Sequence, residues 1–197
     1  RWLLNPYLVI VKTNDLLVVP DNALNHSDEL QDGDTTDVVF DAWDTAANGD
    51  YLYVGAEVPF RGVGVTVGSD PNNTPSLLTV NFWEGAWAAI TETDGTETGG
   101  TTTMAQTGNV TWTVPTTWTP VSLLAIGETL LKTSWSMAKL YWTRWEVDTV
   151  TEATWNLAAI RSLNRSTNYS EWLEGQAYEQ ALHVGPGGHA CVEALTN

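Results

Sequence analysis

The residues best suited to chemistry are carboxylates. Asp32-Gly33-Asp34-Thr35-Thr36-Asp37 places Asp32, Asp34 and Asp37 on a short turn. Clustered hard oxygen ligands suit Ca²⁺. The spacing is not that of an EF-hand loop, so a solvated acidic loop is the plainer expectation and Ca²⁺ the sharper one. Asp94-Gly95-Thr96-Glu97 is a weaker version of the same pattern. With 24 acidic residues, paired carboxylates for glycoside hydrolysis are available, yet no pair is singled out. His183 and His189 flank Gly185-Pro186-Gly187-Gly188 and could face each other across a hairpin. Two imidazoles do not close a zinc site, and Cys191 is not an obvious third ligand. Nothing marks Cys191 as an activated nucleophile, and its alternation with Ala190 and Val192 suggests a buried thiol. The glycine-rich turn lacks the Lys-Ser/Thr and helix of a phosphate loop. No catalytic residues are expected.

Tryptophan carries the other possible chemistry. Eleven Trp in 197 residues suit either a sugar-stacking platform or ordinary core and interface packing, and packing is the simpler reading. Trp112, Trp142 and Trp145 sit in alternating segments, as core or sheet-face residues would. Trp83, Trp87 and Trp118 are the candidates for an exposed patch. Arg144 is one of only eight basic residues, so a carboxylate partner is expected for it.

The charge balance narrows the class. Net charge is −16, with no Lys or Arg between Lys12 and Arg61 or between Arg61 and Lys132. Nucleic-acid affinity rests on clustered Lys and Arg, and so does attraction to an anionic membrane surface; neither partner is expected. Cys191 is the single cysteine, so an intrachain disulfide cannot form. Apolar runs such as Leu8–Val11 are too short to span a bilayer, and no signal-peptide pattern is visible. Sequons at Asn25, Asn72, Asn109, Asn164 and Asn168 are expected by chance in a chain rich in Asn, Ser and Thr.

The elements that would position these residues are strands. Val63, Val65 and Val67 alternate with Gly64 and Thr66; Val110, Trp112 and Val114 alternate with Thr111 and Thr113. Period two marks a half-buried strand. Leu77–Trp83 puts Leu78, Val80 and Phe82 on one face and Thr79, Asn81 and Trp83 on the other. Glu84-Gly85 then turns the chain into Trp87–Ile90, a hairpin. In Lys139–Val147, Leu140, Trp142, Arg144 and Glu146 oppose Tyr141, Thr143, Trp145 and Val147. Further strands are expected at Val38–Phe40, Tyr51–Val54 and Trp155–Ile160. Leu123–Leu131 is open between strand and short helix, and Glu171–Leu182 between helix and strand. Tyr7–Val11 and Leu16–Val19, separated by Thr13-Asn14-Asp15, read as an N-terminal hairpin. Ala181–Val184 and Ala190–Leu195 read as a C-terminal one. Short strands without strand–helix alternation predict an all-β, mainly antiparallel, jelly-roll-like β-sandwich.

From Asp50 to Arg144 a set of motifs follows in order. It runs Tyr51-Leu52-Tyr53-Val54-Gly55, Pro59-Phe60, Gly62-Val63-Gly64-Val65-Thr66-Val67, Phe82-Trp83-Glu84-Gly85-Ala86-Trp87, Asp94-Gly95-Thr96, Gly108-Asn109-Val110-Thr111-Trp112, Pro115 with Trp118, and Leu140-Tyr141-Trp142-Thr143-Arg144. Together they resemble a module of structural proteins in tailed-phage virions, over about half of the chain. The resemblance implies a β-sandwich of the head or tail without catalytic residues.

The expected organisation is an N-terminal arm and acidic segment at 1–49, a sandwich core at 50–160, and a C-terminal extension at 161–197 packing on the core or on a neighbouring subunit. The expected function is a virion structural protein, either a capsid decoration or vertex protein or a head–tail or tail component. It would assemble in the host cytoplasm and be displayed on the extracellular particle. Its expected partners are copies of itself, a trimer among the arrangements, and other virion proteins such as the major capsid protein. A carbohydrate-binding module for host adhesion is the alternative. It predicts exposed, coplanar Trp rings, whereas assembly predicts Trp buried in contacts.

Overall fold

The computed structural model describes residues 8–13, 22–27, 29–32, 38–41, 43–45, 49–127, 139–152 and 154–163. The chain divides into two compact units, Arg1–Ser162 and Leu163–Asn197. Residues 164–197, with the C-terminal hairpin, Glu171–Leu182, His183, His189 and Cys191 expected there, lie outside the described residues, as do Asp34 and Asp37.

Eleven strands are described: β1 (Leu8–Thr13), β2 (Asn22–Asn25), β3 (Val38–Asp41), β4 (Tyr51–Ala56), β5 (Gly62–Val67), β6 (Leu78–Trp83), β7 (Trp87–Ala89), β8 (Glu92–Asp94), β9 (Gly108–Trp112), β10 (Tyr141–Val147) and β11 (Thr154–Ser162). One helical turn, α1, covers Glu29–Asp32, and Leu123–Ile126 forms a 3₁₀ turn. Sheet A runs β2-β1-β4-β10-β6-β7 and sheet B runs β3-β11-β5-β9-β8. Every strand pairing is antiparallel. The fold is therefore an all-β sandwich, as the alternation predicts.

The N-terminal segment differs in detail from its reading. β1 pairs with Asn22–Asn25, with Thr13 opposite Asn22, and on its other side with β4. The run Leu16–Val19 lies outside the described residues. A lone hairpin is marginal in water; here β1 gains a second neighbour and becomes part of sheet A.

The core lies between the sheets. Leu52, Val54, Val80, Phe82, Trp145 and Val147 point in from sheet A. Val63, Val65, Val110, Trp112, Trp155 and Leu157 point in from sheet B. Each fully buried aliphatic or aromatic side chain contributes roughly 1.5–3 kcal/mol. Indole N–H groups need partners in such a core. Trp112 Nε1 donates to the Phe60 carbonyl at 2.8 Å, Trp43 Nε1 to that of Asp50 at 3.3 Å, and Trp145 Nε1 to Thr143 Oγ1 at 2.9 Å. A bulge interrupts the pairing of β11 with β5 between Leu157 and Ala159. Trp155 through Ile160 are all buried, so the period-two signal is absent there.

Two of the sequence motifs build turns. Asp94 Oδ1 accepts from Thr96 N at 2.8 Å and Thr96 Oγ1 at 2.6 Å, and Oδ2 accepts from Thr103 Oγ1 at 2.5 Å. Thr96 and Thr103 are fully buried. At Gly108 a Cβ would sit 2.0 Å from the Gly95 carbonyl oxygen, so only glycine lets these backbones meet. Asn72 is fully buried, donating to Thr74 O, Ser76 Oγ and Thr103 O and accepting from Thr74 N and Glu152 N. That sequon is a loop-locking residue.

Candidate functional site: the outer face of sheet A

Side chains alternate across a sheet, so the residues of β10 that avoid the core must go outside. Trp145 and Val147 enter the core, whereas Trp142 joins a second apolar cluster with Tyr53 and Leu123. The 3₁₀ turn delivers Leu123 to that cluster. Ser122 caps its start, its side chain accepting from Ala125 N, and Gly127 ends it at φ 89°. This resolves Leu123–Leu131 as a 3₁₀ turn over Leu123–Ile126; residues 128–138 lie outside the described residues.

Strand register sets three rows across this face. Tyr53 lies opposite Arg144, which lies opposite Asn81, which lies opposite Ala89. Two residues along on one side, Gly55 lies opposite Trp142, and Trp83 opposite Trp87. On the other side Glu146 lies opposite Thr79. The Arg144 guanidinium carbon stands 4.5 Å from the Tyr51 ring centroid and 4.9 Å from that of Trp87. Cation–π contacts of this kind are worth about 0.5–2 kcal/mol. Arg144 Nη2 lies 3.2 Å from Glu146 Oε2, and both side chains are 18% exposed. Glu146 is the carboxylate expected for Arg144.

The sequence candidates therefore separate. Trp83, Trp87, Trp142 and Arg144 come together on one face. Trp142 is fully buried there, its Nε1 donating to the Val121 carbonyl at 3.0 Å. Trp83 and Trp87 are half-buried. Trp118 does not join them. The pairing of β9 ends at Trp112, the chain turns back beyond Pro115, and Thr119 N donates to the Trp83 carbonyl at 3.0 Å. This carries the Trp118 ring into the core, 5.0 Å from Phe60 and 5.9 Å from Tyr141. The expectation of an exposed Trp118 is thus corrected. Trp83 and Trp87 meet at 77°, centroids 5.4 Å apart, so they do not form the coplanar platform that sugar stacking predicts.

Tyr51, Tyr53, Asn81 and Glu146 were missed as site residues. Alternation already placed Asn81 with Trp83 and Glu146 with Arg144, which is the available signal; the cross-strand register was not legible.

Among the described residues no group of three or more His, Cys, Asp or Glu is placed to hold a metal ion. Asp32 ends α1, and the Ca²⁺ reading of Asp32, Asp34 and Asp37 falls outside the described side chains. The Asp94 carboxylate already accepts three hydrogen bonds from protein groups. Two groups have displaced pKa values. Burial raises that of Glu92, with Asp94 adding to the rise and a backbone hydrogen bond opposing it. Burial lowers that of His26, opposed by Glu29.

No family model matches this chain, and neither a curated protein nor a solved structure does.

Proposed function

We propose that this chain is a structural subunit of a tailed-virus particle, a decoration, vertex or head–tail component that acts by assembling with copies of itself and with other virion proteins. The supporting observation is the use made of the residues in the motifs that carry the resemblance. Gly95 and Gly108 close a turn, Trp118 fills the core, and Gly55 makes room for Trp142. A motif set whose members serve architecture suits a module selected for shape and contact. Apolar side chains are also exposed in the loops, Val58 at 62% and Leu77 at 44%. Such residues become useful when a neighbour covers them.

The test is the mass of the purified protein by light scattering, followed by imaging of the assembled state. The proposal expects a stable symmetric homo-oligomer whose contacts bury Val58 or Leu77. A monodisperse monomer at all concentrations would count against it.

A further inference from the structure

Val58, at 62%, is the most exposed large apolar side chain among the described residues. It sits in the connection from β4 to β5, Glu57-Val58-Pro59-Phe60-Arg61. The far end of this connection is anchored. Phe60 is buried, its ring centroid 5.5 Å from that of Trp112 and 5.0 Å from that of Trp118. Its carbonyl accepts from Trp112 Nε1 at 2.8 Å, and the Arg61 carbonyl accepts from Trp112 N at 2.9 Å. Val58 is thus presented beside a fixed anchor, so covering it has a small ordering cost. Glu57 and Arg61 flank it, both exposed, and neither is ion-paired among the described residues. Their order is self-complementary. Across a two-fold axis through Val58, Glu57 of each copy meets Arg61 of the other, as an isologous contact requires.

We infer that the segment from Glu57 to Arg61 is a two-fold contact through which the chain binds a second copy of itself. This rests on the assembly reading and selects which exposed side chain the copies share. A chain of net charge −16 repels its copies, so their contact must offset carboxylates with bases. Leu77, the other exposed loop residue, stands among acids. Asp148 Oδ1 accepts from its N–H at 2.7 Å, and Asp70 and Asp148 are exposed. No Lys or Arg occurs in 68–77 or in 148–153. A two-fold axis at Leu77 would set acid against acid. At Val58 the same operation sets acid against base around an apolar centre, the arrangement of a small interface with a polar rim.

The experiment follows the mass of the full chain by sedimentation equilibrium over a range of concentrations, with circular dichroism as the folding control. Wild type is expected to form a dimer or a larger assembly of even copy number. Val58→Asp should weaken association by at least about tenfold, the scale of a central apolar contact. Glu57→Arg alone and Arg61→Glu alone should each weaken it, because each sets like charges together across the axis. Mixing those two single variants should restore it, as should both changes in one chain. Undiminished association of Val58→Asp would overturn the inference, as would no recovery on mixing or a wild-type trimer. Association lost in Leu77→Asp and kept in Val58→Asp would overturn it while leaving the assembly reading standing. A wild-type chain that stays monomeric at every concentration would overturn both.

Discussion

Trp142 packs against Gly55 across the β4–β10 pair so closely that a Cβ on residue 55 would lie 2.5 Å from two of its ring carbons. Trp142 is fully buried and tied by its Nε1 to Val121, so the ring has little room to give. Gly55→Ala should therefore destabilise by about 1–3 kcal/mol, the usual scale for overpacking. Chemical denaturation measures this. Adding Trp142→Leu should make the pair of changes less than additive, because the two residues share one contact.

The Arg144 side chain is held by Tyr51, Trp87 and Glu146 together. Arg144→Lys keeps the charge and loses the planar stacking. It should cost about 1 kcal/mol or more, whereas Glu146→Gln should cost less than about 1 kcal/mol because the amide keeps an oxygen that can accept from Arg144 Nη2. Urea unfolding of both variants tests this order; equal losses would assign the stability to the ion pair instead of the rings.

The Asp94 turn joins two buried threonines through one carboxylate. Asp94→Ala leaves those hydroxyls without their acceptor and should lower stability by about 1–3 kcal/mol. Gly108→Ala should be worse than Asp94→Ala, since the added methyl meets backbone that cannot rotate away. Thermal melts rank the two.

Stability should respond to pH in two opposed ways. The raised pKa of Glu92 means the folded chain keeps this proton at pH values where the unfolded chain has lost it. Stability from this group therefore falls as pH rises from its ordinary 4.5 upward. The lowered pKa of His26 works the other way: below its ordinary 6.5 the unfolded chain binds the proton more tightly, so stability falls as pH drops. Melting temperatures across acid to neutral pH should lose the first slope in Glu92→Gln and the second in His26→Gln. Unchanged slopes would remove both assignments.

Much of the fold was readable because alternation survives wherever a strand has one core face and one outer face. In β10, Trp145 and Trp142 fall on opposite faces as spacing alone predicts, and the Trp83–Trp87 hairpin follows from its turn residues. In β11 both faces are buried and a bulge shifts the register, so its environment could not be read from period two. The N-terminal pairing was misjudged because hydrophobic runs do not reveal which segment offers a free backbone edge. Trp118 was misplaced for a similar reason: a Pro-x-x-Trp corner shows that the chain turns, and only the hydrogen bond from Thr119 to Trp83 shows which way the ring then faces. Half of the outer-face site was visible as Trp83, Trp87, Trp142 and Arg144. Asn81 and Glu146 emerge only when the register sets them beside Arg144.

The most direct test of the structural-subunit proposal is quantitative mass spectrometry of gradient-purified virus particles from the source of this sequence. The proposal predicts peptides of this chain in the particles, in a fixed copy number relative to the major coat protein. Their absence from intact particles, with the chain recovered only in the soluble fraction, would contradict it.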